Sequence, residues 1–145
     1  MLDIVPATDD HLPYVYSTWI RSYRQSPYAL SLGPDYPRRQ RHRIDAILQH
    51  ADALLLVDPQ DWICGWVVGS VYPDEIIADY VYVRSLWRRQ GHATQLLAAL
   101  AGDCPSPRYY SHTTRDGRRL ASALGWQPHP ILAHRRPDQH AHRPD

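Results

Sequence analysis

The chain has 145 residues, 43% of them hydrophobic and 21% charged, with a formal net charge of +1. That length suits one globular domain with a sizeable core, and the near-zero charge excludes the global basic field of a typical nucleic-acid binder. No apolar run reaches the ~18 residues of a membrane span, residues 1–6 lack the basic and apolar regions of a signal peptide, and the two cysteines, Cys64 and Cys104, have no metal or redox spacing. A reduced cytoplasmic protein is therefore expected, with both thiols buried as small hydrophobes.

Residues 2–7 read as a first strand. Thr8, Asp9 and Asp10 supply capping groups, and Leu12, Val15, Trp19 and Tyr23 then recur at helical spacing, with Tyr16 and Ile20 widening the stripe. Pro13 falls in the first helical turn, where its missing N–H is harmless; Ser26-Pro27 ends the helix. A second helix begins near Pro37 and carries Ile44, Ile47, Leu48 and Ala51 on one face.

Residues 53–57, 62–72 and 75–83 read as three strands joined by the turns at 58–61 and 73–74, which are too short for crossovers and so predict an antiparallel meander. A third helix spans residues 93–101 and stops at Gly102. A fifth strand over 108–113 runs parallel to its predecessor if that helix is a right-handed crossover. Thr113 or Thr114 caps a fourth helix, with Leu120, Ala121 and Leu124 inward and Gly125 at its end. Residues 130–135 are expected as a last strand. One domain over 1–135 and a mobile polar tail over 136–145 complete the reading.

Between the fourth strand and the third helix lies Val83-Arg84-Ser85-Leu86-Trp87-Arg88-Arg89-Gln90-Gly91-His92-Ala93. A strand, a basic glycine-containing turn and a helix start make an anion site, because the first helical amides have no intrahelical partner and the helix dipole and arginine charge reinforce them. Within this segment Arg88-x-x-Gly91-x-Ala93 resembles the acetyl-CoA pyrophosphate signature of the GCN5-related N-acetyltransferase (GNAT) superfamily. The order of elements is similar too, over residues 2–135. The resemblance implies the acyl-CoA N-acyltransferase fold: an α+β sandwich with a mixed, mostly antiparallel sheet of about six strands flanked by about four helices.

The resemblance further implies acetyl-CoA as co-substrate and an amine as acceptor. Its pyrophosphate would be cradled by Arg88, Arg89, Gln90, Gly91, His92 and Ala93, with Thr94 adding a hydroxyl. Gly91 has to lack a side chain for close phosphate approach, and glycine is also the residue that admits a positive φ there. Pantetheine would pair with the backbone of Val81, Tyr82 and Val83 in a V-shaped opening between strands four and five. Ser85 stands where the family usually has proline.

Transfer to an amine needs a base. Asp79 lies four residues before Val83, where related enzymes often carry a glutamate serving as base, and strict alternation would put Asp79, Val81 and Val83 on one face. The ending Leu124-Gly125-Trp126 matches the family's fourth helix, but its general-acid tyrosine position is Ala121 and its asparagine position is Thr114, which can still hydrogen-bond pantetheine. Replacement acids are Tyr110 and His112, on one face of the fifth strand; Tyr80 and Tyr82 are expected to pack on the other face of their strand. The run Arg38-Arg39-Gln40-Arg41-His42-Arg43 reads as a solvated helix face, leaving nucleic acid an unfavoured partner, and the histidines at 134, 140 and 142 lack a metal scaffold. Two function classes follow: a catalytic N-acetyltransferase, and a non-catalytic acyl-CoA-binding or interaction module that kept the cradle and lost the acid. Acceptor, acyl length and oligomeric state are not set by the sequence.

Overall fold

The computed structural model describes residues 1–25, 33–111 and 114–132. Its elements in chain order are β1 (Asp3–Pro6), α1 (Leu12–Arg24), α2 (Tyr36–Leu48), β2 (Asp52–Val57), β3 (Ile63–Val71), β4 (Ile76–Val83), α3 (His92–Ala101), β5 (Arg108–Tyr110), α4 (Arg115–Ala123) and β6 (Gln127–Pro128). The six strands lie side by side in sequence order. β1 to β4 are antiparallel neighbours, whereas β4–β5 and β5–β6 are parallel. This is the mixed sheet with four helices expected from the sequence.

The sheet has two covered faces, and the strand alternation sorts residues between them. On one face α1 and α2 bury Val15, Trp19, Tyr23, Tyr36 and Ile44 against Leu55, Trp66, Val68 and Tyr80. Trp19 stacks on Tyr80 with centroids 5.4 Å apart, and the buried Trp66 indole N–H donates to Thr18 Oγ1 at 2.8 Å. On the other face Leu96, Leu97 and Leu100 of α3 meet Leu56, Val67, Ile76, Ala78 and Val83, with Trp126 closing the end. A Cβ on Gly69 would strike the Ile77 carbonyl and the Leu100 side chain, so glycine there lets α3 settle onto the sheet.

Four expectations need correction. Leu124 is not an inward helix residue: it is 37% exposed, because α4 ends at Ala123 and the chain folds back so that Trp126 N–H donates to the Ala121 carbonyl at 2.8 Å. Trp126 takes the core position instead, at 3% exposure. The last strand is Gln127–Pro128, not one starting at Pro130. Beyond it the His129 imidazole Nδ1 accepts from the amides of Ile131 and Leu132, which turns the chain. The basic run on α2 is only partly a solvated face. Gln40 is 1% exposed, and Arg43 points inward to a hydrogen bond with Tyr23, burial pulling its pKa below the ordinary arginine value. Cys64 is buried but Cys104 only half-buried, and both are free. The expected tail, residues 133–135 and the three C-terminal histidines lie outside the described residues.

Candidate functional site

Pairing between β4 and β5 stops early. Ile76, Ile77 and Ala78 pair with Arg108, Tyr109 and Tyr110, and the Ser111 N–H then donates to the Ala78 carbonyl at 3.1 Å. Past that fork, the β4 edge toward Val83 has no strand neighbour on the β5 side among the described residues. A cavity of about 560 Å³ runs along this edge. Its walls include Tyr80, Val81, Tyr82 and Val83, then Arg88 and Ala93 beyond the strand, and Thr114, Asp116, Gly117 and Leu120 at the start of α4. Ser22 of α1 and Gln25, the cap just after it, also line the groove. Six residues assigned to the co-substrate from the sequence (Val81, Tyr82, Val83, Arg88, Ala93 and Thr114) thus share one groove.

The turn at the end of the groove is built from backbone. Residues Ser85–Trp87 form a short 3-10 turn, after which the Arg88 side chain folds back and its Nε donates to the Val83 carbonyl at 2.7 Å. Arg89 has φ 63° and Gly91 φ 82°, and Gly91 is the N-cap of α3. The first amides of a helix have no intrahelical partner, and glycine adopts the left-handed shape at this N-cap without the cost a side chain brings. A Cβ on Gly91 would meet nothing within 4 Å, so it is the positive φ and not a crowding protein neighbour that calls for glycine there. The strained Arg89 was not visible in the sequence. Arg89 and Gln90 are exposed, while His92 and Thr94 are half-buried in the first turn of α3, the His92 ring lying 2.9 Å from Gln95 Oε1. None of these four side chains lines the groove, so what they can offer is backbone and charge.

At the strand's middle the expected geometry fails. Val68 pairs with Tyr80 and Gly69 with Ala78, so Asp79 is the extra residue of a β-bulge. Asp79 therefore does not share a face with Val81 and Val83. It sits 6% exposed, feels the Arg43 charge from α2, and accepts a 2.7 Å hydrogen bond from the Ser111 hydroxyl. Burial pushes its carboxyl up to about 6, against the opposing pull of Ser111 and then of Arg43. Tyr80, on the aromatic face as expected, also reaches the groove, and its hydroxyl lies 3.0 Å from that of Ser22.

On the α4 side, Thr114 caps the helix, its hydroxyl accepting from the Gly117 N–H at 3.2 Å. Ala121 is buried, and with Tyr110 it borders a small gap at the fork. Burial raises the Tyr110 phenol above its ordinary pKa, so it stays protonated at neutral pH. His112 lies outside the described residues. Ser22 and Gln25 belong to the segment that the family resemblance makes a wall of the acceptor site, whereas sequence reasoning missed Asp116 and Leu120; Gly117, a glycine inside a helix, carried a signal of close approach.

A second cavity, about 630 Å³, lies between α1 and α2, lined by Tyr16, Arg21, Arg24 and Arg41 among others. It shares no wall with the groove and touches neither the open strand edge nor the turn. Among the described residues there is no cluster of three His, Cys, Asp or Glu side chains able to hold a metal ion, and no helix long and apolar enough to cross a membrane.

No curated protein sequence matches the chain. Its fold is similar to that of aminoglycoside N-acetyltransferase AAC(6')-Iy, solved in complex with CoA, with TM-score 0.59 and 16% identity over 93% of this chain and 94% of that one. It is similar to a ribosomal-protein-alanine N-acetyltransferase from Brucella melitensis biovar Abortus 2308, with TM-score 0.58 and 22% identity over 86% and 90% of the two chains. A supposed acetyl transferase from Pyrococcus furiosus superposes with TM-score 0.65 at 14% identity, over 93% and 99%. Residues 13–125 match the model of the acetyltransferase (GNAT) family, which spans most of the sequence and both walls of the groove. The chain belongs to the GNAT acetyltransferase family.

Proposed function

We propose that the protein is an N-acetyltransferase that uses acetyl-CoA to acylate a primary amine, and that the groove along β4 is its co-substrate site. One observation carries the reading: the edge of β4 that has no strand neighbour on the β5 side among the described residues leads directly into a turn in which a left-handed Gly91 N-caps α3, whose first amides lack intrahelical partners. An extended pantetheine arm suits the first feature, as an added strand would, and a diphosphate suits the second. Bound acetyl-CoA supplies the activated acyl thioester. In this reading Arg88, fixed on the Val83 carbonyl, adds positive charge beside the diphosphate. The backbone of Val81 to Val83 holds the arm, and Thr114 borders it from α4.

The acceptor enters from the α1 side, past Ser22 and Gln25. Asp79, ionised above pH about 6, takes the amine proton through water, because its buried carboxyl lines neither the groove nor the gap at the fork. Tyr110, protonated and beside the fork, is the donor available to the leaving thiolate. The two free cysteines make a reducing cytoplasm the proposed compartment.

The test is thiol release from acetyl-CoA across a panel of amines, run beside calorimetric binding of CoA. Release with at least one amine supports the enzyme. Binding without release for any amine supports the acyl-CoA-binding module that Ala121, in place of a tyrosine, also fits. Absence of CoA binding would sink both.

A further inference from the structure

We infer that the acyl site favours a chain one carbon longer than acetyl, a propionyl-type thioester. The inference rests on the reading of the groove as an acyl-CoA site and specifies its acyl end. The turn carrying Gly91 follows Val83, so a diphosphate held there sets the direction of the molecule. Its thioester end then lies down β4, where β4 and β5 make their last pair, Ala78 with Tyr110.

At that fork sits a separate gap of about 20 Å³, bounded by Ala78 and Tyr110 of the strands, Leu97 of α3, Ala121 of α4 and Trp126. Tyr80, Val81 and Gly117 border both this gap and the groove, so the two spaces lie on either side of the same few residues. The gap has a local cause. Gly117 and Ala121 are four apart on α4 and therefore on one helix face. Two near-absent side chains in succession withdraw the helix surface from the sheet, at the position where family resemblance led us to expect a tyrosine.

Size and chemistry point to one occupant. The volume suits a single water-sized group, but the walls are mostly carbon; the Tyr80 hydroxyl is engaged with Ser22 on the far face, which leaves the Tyr110 phenol as the one hydroxyl bordering the gap that a water could meet. Water in such a space finds too few partners, whereas an additional methyl group gains burial without opening new volume. Acetyl leaves the gap empty, propionyl fills it, and butyryl exceeds it.

Calorimetric titration of the full wild-type chain with CoA, acetyl-CoA, propionyl-CoA and butyryl-CoA tests this without any substitution. Propionyl-CoA is expected to bind about fourfold more tightly than acetyl-CoA, the equivalent of about 0.8 kcal/mol for one buried methylene. Butyryl-CoA should gain nothing over propionyl-CoA. In Ala121→Val, which fills the gap from the protein side, the propionyl-to-acetyl ratio should fall to one or below, with CoA as the reference in each protein. Equal or tighter binding of acetyl-CoA by the wild type overturns the inference, as does affinity that keeps rising with chain length or a ratio unmoved by Ala121→Val. Each of these leaves the groove reading standing, since CoA still binds. No binding of any CoA species removes that reading and this inference with it.

Discussion

The turn after β4 and the bulge within it belong to the same strand but are made of different things. The turn is backbone: a left-handed Gly91, the free amides of α3, and an arginine tied to a carbonyl five residues back. All of it lies within one stretch of chain, and the side chains of Arg89 and Gln90 project into solvent. The bulge is a side-chain assembly. Asp79 depends on Ser111 from beyond β5 and on Arg43 from α2, so three distant segments must meet before its carboxyl acquires its properties. A site made of backbone tolerates change around it, whereas one made of converging side chains is exposed to every neighbour. Binding and chemistry should therefore be separable by mutation.

The largest separation is expected at Asp79. Asp79→Asn keeps the shape and the Ser111 contact but removes the base, so kcat should fall about 100-fold or more while CoA affinity stays within about twofold. The wild-type kcat/KM should rise with pH through about 6 and then level, the limb belonging to Asp79 ionisation, and the variant should lack that limb. Stability should move the opposite way. A carboxyl whose folded pKa lies above its ordinary value favours the folded state while protonated, below about pH 4, and loses that advantage as pH rises through about 6. By chemical denaturation, Asp79→Asn should therefore gain on the wild type between those limits, by roughly 3 kcal/mol. A kcat unchanged in Asp79→Asn would take the base out of the account and leave the groove untouched.

Gly91→Glu probes the other region. It forces a side chain into a positive φ and sets a negative charge before the amides, so CoA binding should weaken on the order of 100-fold, roughly 2–3 kcal/mol, by calorimetry. Arg88→Ala removes a charge and the 2.7 Å anchor on Val83, with an expected tenfold loss of about 1.4 kcal/mol in CoA affinity. The smallest effect belongs to Thr114→Ala. Losing the cap on α4 should cost about 1 kcal/mol of stability, read as a lowered Tm, with little change at the turn.

The same contrast accounts for what the sequence disclosed. The meander was readable because its turns are too short for anything else, and the stripe Val15, Trp19, Tyr23 became the buried side of α1 as its spacing requires. The turn was readable because a glycine, an arginine and a helix start lie within a few residues. A bulge, however, leaves no mark on hydrophobic alternation. One residue is inserted and the pattern resumes, so Asp79 was assigned to the wrong face. Arg43 was hidden inside a basic run whose other arginines are mostly solvated, although Tyr36, Gln40 and Ile44 mark a buried stripe along the same helix. Leu124 and residues 130–132 were misjudged because the fold-back of Trp126, held by a backbone hydrogen bond, and the turn held by the His129 imidazole decide that end of the domain.

Amide hydrogen exchange with and without CoA tests the central claim most directly, because the proposed site is largely backbone. Slowed exchange is predicted on the β4 edge at Val81 and Val83 and in the turn from Arg89 to Thr94, with α1 and α2 little changed. Protection centred instead on Tyr16, Arg21 and Arg41, around the larger cavity, with the turn unaffected, would contradict the account.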